Sequence, residues 1–415
     1  METTQHLADS IRPGALANLR VLDFTQSLAG PYCTQILADL GAEVLKVEPV
    51  GVGDGTRALG PFHASDTEKR HSGYFHSINR NKKSIAVDLR SDTGRGLVFD
   101  LISSYDIVVE NFRVGAMDRL GLSYEELSAR NEKLIYAAIR GFGDPRSGKS
   151  PYSKWPAFDV VAQAMGGITA VTGADKSHPV KVGPGVGDLV PGLFLAIGVL
   201  AALAHRHATG EGQFVDVGMV DSILSISERT VYQHSFGDVV AEPTGNHQPF
   251  MGPFGLYPAS DGHVAIAATS QNFFEAMCNA IDAADLLKDE RFCNVQGRKE
   301  YLRDLIDEVS RRTVRFTKAE LHSRLGGIIP FGPAYNMADI AEDPHFKARD
   351  MLPKIDLDGV ESRLAIAGQP IKFSRTPSNV RHAGPDLGAD TREVLMAMGR
   401  SDQEIAALFE QGSIG

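Results

Sequence analysis

The first third of the chain alternates short apolar runs with helical stretches, and this alternation limits the fold more than any other feature. The runs are Arg20–Phe24, Glu43–Val47, Ser84–Leu89, Ile107–Val109 and Leu134–Ile139. Gly30-Pro31 opens the first intervening helix, with Pro31 at its first position, Gly41 closing it, and Ile36, Leu37 and Leu40 on its apolar face. Helical patterns recur at Gly94–Ile102 and Tyr124–Arg130. Sequential parallel strands need a crossover long enough to hold a helix. The alternation therefore predicts an α/β fold, a mostly parallel sheet covered by helices. No GxGxxG follows the first run, so a dinucleotide is not indicated.

The pattern changes after Asp221. Gly237, Pro243, Gly245, Pro249, Gly252, Pro253 and Gly255 punctuate a linker-like stretch. Phe254–Tyr257 and Val264–Ala267, joined through Asp261-Gly262, read as a β-hairpin, and helical patterns follow at Phe273–Ile281 and Tyr301–Arg311. These predict a smaller α+β domain. A second hairpin is expected around Asp358-Gly359, and the tail Thr391–Gln411 reads as helical.

A net charge of -10 argues against a nucleic-acid partner. Cys33, Cys278 and Cys293 form neither a CxxC nor a zinc spacing, so no metal is expected and the thiols should be reduced, as in a cytoplasmic protein. Met1–Ala17 lacks the apolar centre of a signal peptide. The most membrane-like run, Leu189–Ala204, is short and holds Pro191 and Gly198; it predicts a buried core helix and no membrane partner.

That helix starts beside the most chemically suggestive residue. Asp188 follows Gly183-Pro184-Gly185-Val186-Gly187, which puts a carboxylate where a loop enters a helix and where the helix dipole favours the anion. Such a residue can cap the helix. It can also serve as an acyl-accepting nucleophile.

Several segments point one way together: Asp23–Pro31, Leu40–Pro49, Gly53–Arg57, Asn79–Leu89, Val109–Gly121, His205–Asp216 and Ile329–Pro333. In this order, over nearly the whole chain, they resemble the class III CoA-transferases of the CaiB/BaiF type. The family's nucleophilic aspartate, in a Gly-x-Gly-Asp or Gly-x-x-Asp stretch before an apolar helix, maps onto Asp188. The resemblance implies a Rossmann-like large domain built from residues 1–225 and 341–415, with a linker and small α+β domain at 226–340. It also implies a homodimer of two interlocked rings. No cofactor would be held tightly, since coenzyme A and acyl-CoA are substrates and the other partner is a small carboxylic acid. The family's CoA site maps onto Lys82, Asn111, Phe112, Arg119, Arg140 and Phe142. Gln26 and Leu28 fall in its substrate region, as do Gly245, Asn246 and His247 of a small-domain loop expected to supply oxyanion donors.

The resemblance also separates chemistries. Formyl-CoA transferases carry Gln where this chain has Leu28. Racemases of 2-methylacyl-CoA esters, the alternative within the superfamily, use a His before Asp; here Phe158 precedes Asp159, and a phenyl ring cannot take a proton. The Asn79–Leu89 and Pro330–Pro333 segments look most like transferases using succinyl-CoA and small dicarboxylic acids. Gly143–Ser150 fits the P-loop pattern, but Pro151 follows at once where a P-loop needs a helix, so a nucleotide-binding role is the remotest reading.

Overall fold

The computed structural model describes residues 13–415. The sequence reading of Met1–Ala17 therefore falls mostly outside the described residues. Contacts divide the chain into two units, which are taken one at a time.

The larger unit comprises residues 13–168, 182–231 and 345–415. Its sheet has six strands: β1 (Arg20–Asp23), β2 (Glu43–Glu48), β3 (Lys82–Ala86), β4 (Ile107–Glu110), β5 (Ile135–Arg140) and β6 (Gln213–Gly218). All pair in parallel, in the order β3-β2-β1-β4-β5-β6. The expected parallel sheet is thus present, in the doubly wound order. Apolar clusters cover it on two sides. One holds Val21, Leu37, Ile107, Ile135 and Leu195. The other holds Leu22, Leu45, Ile85, Val108 and Tyr136. Successive strand residues such as Val21 and Leu22 serve opposite clusters because strand side chains alternate faces.

The helix Val186–Thr209 is longer than the apolar run within it. By length and composition alone it could cross a bilayer. Leu195, Val199 and Leu203 on one face are buried in the first cluster. Gly192 lets it approach helix Ala29–Asp39 closely, since a Cβ there would lie 2.7 Å from the Ala29 carbonyl oxygen. The tail forms two helices, Thr391–Ala397 and Asp402–Glu410, separated where Gly399 takes φ +84°. Lys354–Ile355 and Leu364–Ala365 form the small antiparallel pair expected around Asp358-Gly359.

The second unit comprises Thr169–Lys181 and Tyr232–Pro344, so the segment 169–181, which the expected boundaries kept in the large domain, groups here. Strands Phe254–Ala259 and Gly262–Ala267 form the expected hairpin, and Phe331–Pro333 adds a third strand. Helices Gln271–Ala280 and Leu302–Thr313 bury Phe274, Met277, Leu305 and Val309 in one cluster with Tyr257 and Val264.

Candidate active site

The strand order reverses between β1 and β4, and in such sheets the crevice outside the carboxyl ends of these two strands is where ligands bind. A cleft of about 890 Å³ opens there. Its lining includes Gln26–Ala29 after β1, Asn111–Val114 after β4, Arg140 and Gly141 at the end of β5, and Asp188.

The loop after β1 is held from two directions. The Asn111 amide accepts from Gln26 N–H at 2.9 Å and donates to Gln26 C=O at 2.8 Å. Asp54 accepts from Ser27 N–H at 3.3 Å, fixing Ser27 at φ +67°. A non-glycine residue in this region costs on the order of 1 kcal/mol and persists only where its surroundings hold it. Gly30 is required beside the loop: a Cβ would meet Thr25 Cγ2 at 2.4 Å and Asn111 Cγ at 3.0 Å.

Asp188 is not the helix cap. The helix begins at Val186, Gly185 occupies the cap position, and Asp188 N–H donates back to Gly185 C=O at 3.0 Å. Among the described residues no donor reaches the Asp188 carboxylate. Burial, and then the charge of Asp159, push its pKa up from 3.8 to about 7. A carboxylate that desolvation has made more basic, facing a cleft, is suited to attack an electrophile. Tyr74 also lines the cleft; burial raises its phenol pKa first, and the Asp188 charge adds to it.

Gln26, Leu28, Asn111, Phe112, Arg119 and Arg140 therefore share one cleft with Asp188. Two expected CoA ligands do not fit that role. Lys82 is only 1% exposed, and its ammonium is spent on Asp23 Oδ2 at 2.9 Å, Asn79 Oδ1 at 2.8 Å and the Pro31 carbonyl at 3.1 Å. It neutralises a buried carboxylate under the β1 loop instead of meeting solvent. Phe142 is buried against Tyr152 and Trp155 and does not line the cleft. Arg140 lines the cleft, but its guanidinium is committed to Glu110 and the Phe112 carbonyl. Its task is to hold the β4 and β5 ends together. Gly245, Asn246 and His247 belong to the second unit, where Gly245 N–H donates to Gly173 C=O at 3.0 Å and the His247 ring packs edge-on against Tyr257.

The sequence reading missed Tyr74, Lys154 and Trp155, all of which line the cleft. Trp155, the chain's single tryptophan, is 56% exposed. A lone Trp between Lys154 and Pro156 was the available signal, since large exposed aromatic side chains mark contact surfaces. Arg113, Arg119 and Lys154 give the cleft three cations with no carboxylate partner among the described residues.

A profile of CoA-transferase family III matches residues 16–391. The chain belongs to that family. This transferase is 43% identical to a succinyl-CoA:mesaconate CoA-transferase of Haloarcula hispanica over 92% of its own length and 96% of that protein. It is 35% identical to a succinyl-CoA–D-citramalate CoA-transferase of Chloroflexus aurantiacus, over 95% and 97% of the two chains. A crystal structure of a CAIB/BAIF family protein from Brucella suis superposes on the transferase with a TM-score of 0.83 at 34% identity, covering 93% of this chain and all of that one.

Proposed function

We propose that the transferase moves CoA from succinyl-CoA to a small dicarboxylic acid by covalent catalysis on Asp188. The observation that carries this reading is the unbonded, half-buried Asp188 carboxylate facing a cleft with uncommitted cations. One carboxylate oxygen adds to the thioester carbonyl and the C–S bond breaks, giving an aspartyl anhydride and CoA thiolate. The thiolate then attacks the Asp188 carbonyl and expels the donor acid, leaving an aspartyl-CoA thioester. The acceptor carboxylate runs the two steps in reverse, restoring Asp188. Every step exchanges one activated acyl bond for another, so no proton acceptor, metal or nucleotide is called for.

Arg113, Arg119 and Lys154 suit the phosphates of CoA, and Phe112 and Trp155 offer faces for its adenine. The N–H groups at the head of the nucleophile helix are occupied: Val186 donates to Pro184, Gly187 to Asp159, and Asp188 and Leu189 to Gly185. Oxyanion donors must come from elsewhere. In the second unit Gly245 N–H is likewise already bonded, to Gly173 C=O. Succinyl-CoA is favoured by the names of both relatives given above. Phe158, 66% exposed in the cleft where a racemase would need its base, disfavours racemisation.

The active form is a cytoplasmic homodimer in this reading. Leu193, Ile197 and Leu200 lie exposed on one face of helix Val186–Thr209, opposite no described partner, and a second copy would cover them. Sedimentation at low concentration tests this, and a folded, active monomer refutes it. For the activity, purified protein is offered a panel of acyl-CoA donors and free acids, and thioester exchange is read by mass spectrometry. Exchange from succinyl-CoA to mesaconate or a similar dicarboxylate, without ATP, is expected. Exchange confined to formyl-CoA would overturn the substrate assignment.

A further inference from the structure

Helix Asp159–Met165 lies against the start of the nucleophile helix, and two of its side chains reach across. Asp159 Oδ1 accepts from Gly187 N–H at 2.8 Å, the residue just before the nucleophile. Gln163 Nε2 donates to both Asp159 oxygens, at 2.9 and 3.0 Å, while its Oε1 accepts from Val182 N–H at 2.8 Å. Gln163 is wholly buried. The contact is too close for any side chain on Gly187, where a Cβ would fall 2.4 Å from the Asp159 carbonyl oxygen. The chain leaves this unit after Ile168 and returns at Val182. One amide thus ties the point of return to the carboxylate that holds the helix head.

We infer that Asp159 and Gln163 are positioning residues, forming a clamp that fixes the Asp188 carboxylate toward the cleft and sets its charge environment. The inference rests on Asp188 being the nucleophile. Neither residue touches substrate in this role. Gln163 spends its amide orienting Asp159, and Asp159 supplies both a backbone anchor and a nearby negative charge. The titratable groups facing Asp188 are Asp159 from one helix and Tyr74 from another. Arg113, Arg119 and Lys154 line the same cleft.

Two nearly isosteric changes should separate the charge of the clamp from its geometry. Asp159→Asn keeps an oxygen for Gly187 N–H and loses the charge, so the acid limb of kcat/KM moves to lower pH. With the limb starting near 7, a move of about one pH unit raises relative activity at pH 6 roughly fivefold. Gln163→Glu keeps the acceptor for Val182 N–H but replaces the donor to both Asp159 oxygens by a carboxyl; the two carboxyls share one proton, the net charge is unchanged, and the limb stays near its wild-type position while kcat falls. A purely structural pair would lower kcat in both variants and leave the limb in place in Asp159→Asn as well, and that result overturns the inference. Should the second buried carboxyl of Gln163→Glu prevent folding, Asp159→Asn alone decides. A readout free of turnover is the double-mutant cycle of Asp159→Asn with Asp188→Asn in denaturant unfolding. Coupling at pH 8 that fades at pH 5 is expected, and equal coupling at both refutes the electrostatic part. Failure of the nucleophile assignment looks different: Asp188→Asn would then retain transfer.

Discussion

Replacing Asp188 by Asn should abolish transfer and, at neutral pH, stabilise the protein. The amide cannot form the anhydride, so exchange falls to background. The stability gain follows from linkage. The Asp188 pKa is raised on folding from 3.8 to about 7, first by burial and then by Asp159. The native state therefore binds a proton more tightly than the unfolded chain. Its contribution is fully present below pH 3.8, is lost progressively as pH rises toward 7, and is constant above. A rise from 3.8 to about 7 corresponds to roughly 4 kcal/mol at its ceiling. Asp188 still touches solvent, so screening brings the expected effect to about 2 kcal/mol. Loss of a favourable charge at the helix head subtracts about 0.5 kcal/mol. The assay is urea or guanidinium unfolding of both proteins at pH 5 and pH 8. The Asn variant should be the more stable at pH 8, with the margin shrinking at pH 5. A margin independent of pH, or an Asn variant less stable at both, would refute the account of a desolvated, unbonded carboxylate. Near wild-type transfer by the same variant would remove Asp188 from the chemistry altogether.

Other expectations are as direct. Lys82→Met should lower stability by about 3–5 kcal/mol, because Asp23 is left buried without its partner, while a family-based CoA contact would raise KM at unchanged melting temperature. Arg119→Ala and Lys154→Ala should each raise the KM for succinyl-CoA roughly tenfold, the scale of one charge-assisted contact, with kcat retained and the effect shrinking at high salt; an unchanged KM would move the phosphates elsewhere. Gly187→Ala should drive the helix head off Asp159 and cost about a hundredfold in kcat, since displacing a reacting group by 1 Å has that effect; melting curves beside the kinetics separate this from unfolding.

The alternation of residues 20–139 was enough to predict the parallel sheet, because buried parallel strands and their crossover helices leave periodic signals. Strand β6 was harder to see. Gln213 and Asp216 break its apolar character, which an edge strand tolerates because it is only half-buried. Asp188, Asn111 and Arg119 were visible through the order of family motifs. Lys82 misled for a physical reason. Lys82 and Lys83 are adjacent on a strand, so they face opposite ways. Lys83 goes out to Glu393 and Lys82 goes in to Asp23. A sequence shows two cations and not which of them has been desolvated. The Asp159–Gln163 clamp was illegible because its bonds to Val182 and Gly187 span 19 and 28 residues.

The environment of Asp188 makes sense as a device that the proposed reaction relaxes. In the free enzyme an anion sits half-buried, without a hydrogen-bond donor and near a second carboxylate, and each of these raises its free energy. Forming the anhydride converts Asp188 to a neutral acyl group, and the aspartyl thioester is neutral as well. Desolvation and the repulsion from Asp159 therefore act on the starting state and fade as the bond forms. Interactions that differ between ground and transition states are the ones that change kcat. Neutralising Asp159 should then have two opposed effects. Below the plateau a larger fraction of Asp188 is ionised, but each ionised Asp188 attacks more slowly because it is a weaker base. In the plateau above pH 8, where both proteins are fully ionised, the second effect stands alone, so Asp159→Asn should show a kcat lowered several-fold together with its more acidic limb. An acid limb that moves down while the plateau rises would mean that the charge of Asp159 hinders the chemistry as well as the ionisation.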